Sequence, residues 1–182
     1  MNPTIVFDLD GTLITCESKQ KYVLLSLLNA MDDNTAENLE AWWELKREGM
    51  NTEKALTELG YSDAKSIADQ WKREIEKYVW GALDKPFEDS LPTLSYLKGS
   101  DKIGIIILTG RKCKYQVRQI VNSYGFNEYI DDLIVVDPYR AVEKKSEYLR
   151  KIKPFVYVGD TEIDYLSATS SGVRFVALTR GQ

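Results

Sequence analysis

A rhythm in the second half of the chain constrains the fold most. Four apolar runs of strand length, Lys102 to Leu108, Leu133 to Val136, Phe155 to Val158 and Val173 to Leu178, alternate with segments of helical pattern at 113–123, 143–152 and 162–170. Near-continuous apolar strands separated by helices predict a parallel sheet covered on both faces, because strands that run the same way must be joined by long crossovers. An earlier run at 3–8, containing Ile5-Val6-Phe7, has the same character and belongs with these strands.

The stretch between, 15–86, shows no strand pattern. Leu24, Leu27, Leu28 and Met31 recur at helical spacing, and Asn34 with Glu37 three residues on forms a capping signal ahead of Leu39, Trp42 and Trp43. Neighbouring positions on a helix do not share a face, so Trp42 and Trp43 are not both expected to point inward. Asn51-Thr52 opens a short helix that stops at Gly60, and Ser62 opens a longer one with Ala68, Trp71, Ile75, Tyr78, Val79 and Ala82 on one face. Asp84-Lys85-Pro86 reads as a connector, and a helix begins at Ser90-Leu91-Pro92. The expected organisation is an α/β core made of 1–14 and 87–182, with an all-helical insertion at 15–86.

Composition narrows the chemistry. The chain contains no histidine, which removes Ser-His-Asp and Cys-His catalysis and most zinc and non-haem iron sites. A net charge of −4 gives no basic field for nucleic acid or an anionic membrane. The apolar runs are too short to span a bilayer, and no basic segment followed by a long apolar one opens the chain, so neither membrane insertion nor secretion is expected. Cys16 and Cys113 are too few for a disulfide framework or a thiolate metal site, and a reducing cytoplasm is the default.

In open parallel sheets ligands bind at the carboxyl ends of the strands. The first strand ends in Asp8-Leu9-Asp10-Gly11-Thr12, the run 102–108 in Thr109-Gly110-Arg111, and the run 155–158 in Gly159-Asp160-Thr161-Glu162-Ile163-Asp164, while Lys144 and Lys145 open a helix between them. Asp8 and Asp10, two apart in an extended strand, point the same way. Several carboxylates cannot stay ionised together in a small site without a cation, and an oxygen-only donor set without His or Cys selects a hard ion, Mg²⁺. Mg²⁺ commonly keeps waters and takes a substrate phosphate, for whose oxygens Thr109, the Gly110 amide and Lys145 are candidate donors.

Asp8-Leu9-Asp10-Gly11-Thr12-Leu13, Thr109-Gly110-Arg111, Lys145 and Gly159-Asp160-Thr161-Glu162-Ile163-Asp164 resemble the four ordered motifs of the haloacid dehalogenase superfamily. The insertion after the first motif resembles that family's C1-type cap. Ser90-Leu91-Pro92-Thr93-Leu94-Ser95-Tyr96-Leu97 resembles its core re-entry segment, with Thr93 where glycine is usual. The resemblance implies a Rossmann-like three-layer core with a parallel sheet of order 3-2-1-4-5, a cap that closes over the site, and Mg²⁺-dependent hydrolysis of a small phosphorylated metabolite. It implies Asp8 as nucleophile, forming an aspartyl-phosphate, and Asp10 as general acid and base. Mg²⁺ would be held by Asp8, the backbone carbonyl of Asp10 and Asp160, with Asp164 acting through a water, and the phosphate by Thr109, Gly110 and Lys145. Lys144 is the alternative to Lys145. An acid two residues after the nucleophile suits phosphatases and phosphomutases and argues against C–halogen cleavage.

Two other readings stand beside this one: a sugar phosphomutase with a second phosphate site on a cap residue such as Lys19, Lys21 or Arg47, and a non-catalytic phosphate or partner sensor on the same fold. Taken singly, each motif has a plainer reading. Asp8 and Asp10 suit a strand-end turn, Thr109 a helix cap, Asp160 and Asp164 a helix start, and Lys145 a solvated surface. The basic run Arg111 to Arg118 reads as a solvated helix face, although Arg111, directly after Gly110, is within reach of a substrate.

Overall fold

The computed structural model describes residues 3–28, 35–75, 77–99 and 102–180. The chain divides into two compact units, one of Met1–Thr15 with Lys85–Gly181, the other spanning Cys16–Asp84.

The second unit is helical: α1 (Glu17–Leu27), α2 (Thr35–Arg47), α3 (Thr52–Glu58), α4 (Ala64–Glu74) and a 3₁₀ turn at Tyr78–Leu83. Its core gathers Leu24, Leu28, Trp42, Trp43, Ala55, Leu56 and Ala64. Trp42 and Trp43 are both buried, against the expectation that only one would be. The reason is that α2 is packed by α1 and by α3, so two adjacent faces are covered rather than one. Trp42 also meets Trp71 of α4 edge-on at 5.9 Å. Asn51 caps α3 as expected, its side chain accepting from Lys54 N at 2.9 Å. The long helix expected from Ser62 to Ala82 is instead two pieces. α4 ends at Glu74, Lys77 is extended (φ −72°, ψ 138°), and the chain tightens into the 3₁₀ turn, which leaves Val79 exposed. Apolar residues three or four apart fit either helix type, so spacing alone does not register the break. Asn34 and Met31 lie outside the described residues. A buried ion pair between Lys19 and Asp84, 2.9 Å apart, joins the two ends of this unit.

The first unit holds a five-stranded sheet. Its strands are β1 (Thr4–Phe7), β4 (Gly104–Gly110), β5 (Asp132–Val136), β6 (Val156–Gly159) and β7 (Phe175–Ala177); β2 (Ile14–Thr15) and β3 (Lys85–Pro86) form a separate antiparallel pair. The sheet order is β5-β4-β1-β6-β7 with every pair parallel, which is 3-2-1-4-5 when only sheet strands are counted, as expected. The helices α5 (Ser90–Lys98), α6 (Lys114–Ser123), α7 (Ala141–Ile152) and α8 (Glu162–Ser171) complete the α/β architecture. One face of the sheet presents Val6, Leu108, Ile134, Val136 and Tyr157 to Leu149 of α7 and Ala168 of α8. Side chains alternate along a strand, so Ile105 and Ile107, also fully buried, fill the other face.

Two local departures from expectation bear on the strand ends. β4 runs two residues past Leu108, because Thr109 and Gly110 still pair with Val135 and Val136. The connector at 84–86 holds a strand, with Ile14 opposite Pro86 and Thr15 opposite Lys85. Among the described residues no helix is long and apolar enough to cross a membrane.

Candidate active site

The loop after β1 is built by its own backbone. Asp8 N donates to Val158 O at 2.8 Å, which keeps Asp8 in the sheet beyond the end of the strand. Leu9 O then accepts from the amides of Leu13 and Ile14 at 2.8 and 3.0 Å, closing a tight turn under which the Leu9 side chain is wholly buried. Gly11 sits in that turn at φ +76°, and a Cβ there would stand 2.0 Å from Oδ2 of Asp160. Glycine is therefore required twice, by backbone conformation and by the approach of a carboxylate. Thr12 Oγ1 donates to the other oxygen of Asp160 at 3.1 Å.

Lys145, on the second turn of α7, reaches the same place from the other side. Its Nζ donates to Asp8 Oδ1 at 2.6 Å, to Asp164 Oδ1 at 2.6 Å and to Tyr157 OH at 3.0 Å, all four side chains being buried. Tyr157 OH donates in turn to Asp164 Oδ1 at 2.5 Å, and Thr161 Oγ1 to Asp164 Oδ2 at 2.6 Å. Asp164 is thus held from two sides, as the N3 partner in the capping box of α8 and as the anchor of Lys145. Lys144 points elsewhere: it is partly exposed and pairs with Glu147 at 2.9 Å.

The electrostatics are asymmetric. Burial pushes the Asp8 carboxyl well above the usual carboxylate range; Lys145 pulls it down, and Asp164 and Asp10 push the same way as burial. Burial also raises Asp164, but Lys145 and the hydrogen bonds from Lys145, Thr161 and Tyr157 outweigh it and hold this acid below its ordinary value. Burial would lower Lys145, yet the two carboxylates around it raise it.

Asp8, Asp160 and Asp164 each offer a carboxylate oxygen within 4.8 Å of the others. Three acids around one point with a single lysine among them, all donors being oxygen, fit a hard divalent cation. Asp10 is placed differently. Its backbone bridges to Ile14, and both oxygens of its side chain accept from Arg111, one from Nε at 2.8 Å and the other from the terminal nitrogen. Thr109 is buried at the end of β4, beside β1, and Gly110 closes that strand. A Cβ on Gly110 would meet Ala141 and Pro138 at 3.5 and 3.6 Å, ordinary contact, so space does not demand glycine there.

The sequence motifs do not contain Tyr157, and they do not join Arg111 to Asp10. Period two along β6 was the available signal for the tyrosine. Tyr157 and Gly159 share a face, and Gly159 is the residue whose missing Cβ leaves room for Asp164, since a Cβ there would lie 2.6 Å from that of Asp164. No spacing rule links Arg111 to an acid 101 residues earlier in the chain.

Among curated proteins the chain finds no match. Solved structures share its fold. A haloacid dehalogenase-like family hydrolase, SP0104 from Streptococcus pneumoniae, is 20% identical with a TM-score of 0.70, over 99% of this chain and 86% of that one. A protein described as a predicted phosphoglycolate phosphatase from Haemophilus somnus 129pt is 17% identical with a TM-score of 0.66, over 99% and 86%. Protein Tyrosine Kinase A from Mycobacterium tuberculosis is 19% identical with a TM-score of 0.68, over 100% and 86%. One fold thus carries proteins named for opposite directions of phosphoryl transfer, and a reaction has to be read from the site. The family model for haloacid dehalogenase-like hydrolases matches residues 5–178, and with the acids, the lysine and the sheet order in place the chain belongs to that family.

Proposed function

We propose that the protein is an Mg²⁺-dependent phosphatase that hydrolyses a small phosphate monoester through a phosphoryl group carried on Asp8. The observation that carries this reading is the buried Asp8 at the carboxyl end of the central strand, 2.6 Å from Lys145 and within 4.8 Å of two further acids. A carboxylate buried beside other carboxylates costs stability, and a catalytic role accounts for keeping it.

An oxygen of Asp8 attacks phosphorus while the bond from phosphorus to the leaving oxygen breaks, and Asp10 supplies the proton that the leaving oxygen takes up. Water then attacks the phosphoryl group, Asp10 takes a proton from it, and the bond to Asp8 breaks to release inorganic phosphate and restore both acids. Thr109, the Gly110 amide and Lys145 hold the non-bridging oxygens during both displacements. Mg²⁺, held by Asp8, the Asp10 carbonyl, Asp160 and Asp164, would supply charge neutralisation for the phosphoryl oxygens. The bidentate hold of Thr161, Tyr157 and Lys145 on Asp164 makes that acid the anchor that keeps the Lys145 ammonium in place. The helical unit is read as the cap, the source of side chains that differ with substrate.

The test is phosphate release from an aryl phosphate with Mg²⁺, together with trapping of phosphoenzyme. Asp8→Asn should form none, whereas Asp10→Asn should still bind Mg²⁺ and accumulate it. Equal phosphoenzyme in the two variants, or wild-type turnover by Asp8→Asn, would overturn the assignment.

A further inference from the structure

Arg180 lies beyond the stretch 5–178 matched by the family model, yet its side chain reaches the turn after β1. The chain arrives there because its last strand is pinned beside the site. Ala177 of β7 pairs with Gly159, and Leu178 N donates to Gly159 O at 2.8 Å. From that point the guanidinium makes three contacts. Nη1 lies 2.5 and 2.6 Å from the two oxygens of Asp89, Nη2 donates to Thr12 O at 2.7 Å, and the group stands 4.3 Å from the centre of the Phe87 ring.

These contacts are unequal. The Asp89 side chain is 61% exposed, so water screens that pair, which orients the guanidinium more than it stabilises the fold. Thr12 is wholly buried, and a buried carbonyl without a donor loses the hydrogen bond that water would supply. The next carbonyl is held in the same manner, Leu13 O accepting from Phe87 N at 3.1 Å and from Ser90 Oγ at 2.8 Å. Donors from distant parts of the chain thus fix the peptide between Thr12 and Leu13.

The same turn carries Asp160. Thr12 Oγ1 donates to Asp160 Oδ1 at 3.1 Å, and the missing Cβ of Gly11 leaves the space that Asp160 Oδ2 occupies. Rotation of Thr12 would take its hydroxyl off that carboxylate. Outer partners of this kind orient ligating carboxylates and govern metal affinity without touching the metal.

We infer that Arg180 is a positioning residue for the divalent cation: by holding the Thr12 carbonyl it keeps the Thr12 hydroxyl on Asp160, and so keeps that carboxylate directed at the point shared with Asp8 and Asp164. The inference rests on the metal site proposed above. It adds that Mg²⁺ affinity depends on a side chain that bonds none of the proposed ligands.

Mg²⁺ alone is titrated calorimetrically into wild-type protein, Arg180→Met, Thr12→Val and the double variant, with urea unfolding of each in metal-free buffer. Methionine keeps the stem against Phe87 and removes every donor, while valine keeps the shape of Thr12 and removes the hydroxyl. Thr12→Val should weaken Mg²⁺ binding about tenfold, the lower end for loss of an outer partner, and Arg180→Met at least about threefold. The double variant should bind no more than about twofold more weakly than Thr12→Val, because the arginine then has no hydroxyl to act through. Arg180→Lys, which can still donate to Thr12 O, should recover most of the affinity. If Arg180→Met does not fold, Arg180→Gln, whose shorter amide falls short of Thr12, takes its place.

An unchanged dissociation constant in the folded Arg180 variant, with only its unfolding midpoint lowered, would make Arg180 a structural staple and overturn the inference. Multiplicative losses in the double variant would overturn it as well. If wild-type protein binds no Mg²⁺ at millimolar concentration, the metal site falls and the inference with it. Coupled Mg²⁺ binding without phosphate release from any phosphate monoester overturns the phosphatase reading and leaves this inference standing.

Discussion

Lys145 and Asp8 are 137 residues apart in the chain, and their Nζ and Oδ1 atoms are 2.6 Å apart in the fold, both side chains almost wholly buried. The same Nζ bonds Asp164 at the same distance, so one cation serves two buried acids. Removing it strands both. Lys145→Met is expected to destabilise the first unit by about 3–5 kcal/mol, the cost of leaving buried charge unpaired, read as a lowered midpoint in urea unfolding. A loss under about 1 kcal/mol, the range of an exposed pair, would mean that the three groups are solvated.

Asp8 and Asp164 predict opposite pH signatures. Asp8 has its folded pKa raised above the unfolded value, so its contribution to stability is present at low pH and is lost as pH rises through the folded pKa. Asp164 is lowered, and its contribution is present above the unfolded value and lost as pH falls through the folded one. In metal-free buffer, wild-type protein should therefore lose stability relative to Asp8→Asn as pH rises from about 4, the unperturbed carboxylate value. Paired unfolding curves that stay parallel from acid to neutral pH would contradict a raised Asp8.

Mg²⁺ should stabilise the protein by mass action, about 2.7 kcal/mol when present at a hundred times its dissociation constant. Thermal unfolding with and without the ion reads this effect. Asp160→Asn should abolish most of the shift, whereas Asp10→Asn, which retains the backbone carbonyl, should keep it. The same shift in both variants would remove Asp160 from the ligand set.

Two glycines of the site differ in what they tolerate. Gly11→Ala forces a side chain into a left-handed conformation and 2.0 Å from Asp160 Oδ2, so it should cost roughly 1–3 kcal/mol and weaken Mg²⁺ binding. Gly110→Ala meets its neighbours at ordinary distances and should stay within about 0.5 kcal/mol of wild type in unfolding free energy. Comparable losses in the two would show that the strand end after β4 is as tight as the turn after β1.

In the helical unit, burial lowers Lys46 to about 8, with its ammonium 5.8 Å from the ring of Trp42 and 5.2 Å from that of Trp71. The unfolded chain holds this proton more tightly than the folded one, so the penalty is full below about pH 8 and disappears as pH approaches 10.4, the unperturbed lysine value. The cation–π contacts offset part of it. Lys46→Met should be more stable than wild type by about 1 kcal/mol near neutral pH, with the gap closing in alkali. A gap that is constant with pH would assign the gain to packing alone.

The sheet was legible because its evidence is local and repeated. Strand-length apolar runs alternating with helices leave few ways to cover both faces of a parallel sheet, and Val6, Leu108 and Tyr157 occupy the face that alternation assigns them. The helical unit was less legible. Trp43 is buried because α2 has neighbours on two sides, and the helix after Glu74 breaks at an extended Lys77; neither cause resides in the spacing of apolar residues. The paired strands at Ile14 and Pro86 are two residues each, too short for period two to register.

By itself the sequence determined which chemistry is available: acids, a lysine, hydroxyls and no imidazole, set at the ends of strands that must run parallel. The tertiary structure alone decided how those groups are shared. It put Lys145 rather than Lys144 between Asp8 and Asp164, brought Tyr157 into the same cluster, and laid Arg111 across Asp10. The physical reason is range. Periodicity and capping act over a few residues, whereas these contacts span up to 137 residues and follow from sheet register, helix rotation and the cost of burying a charge without a partner.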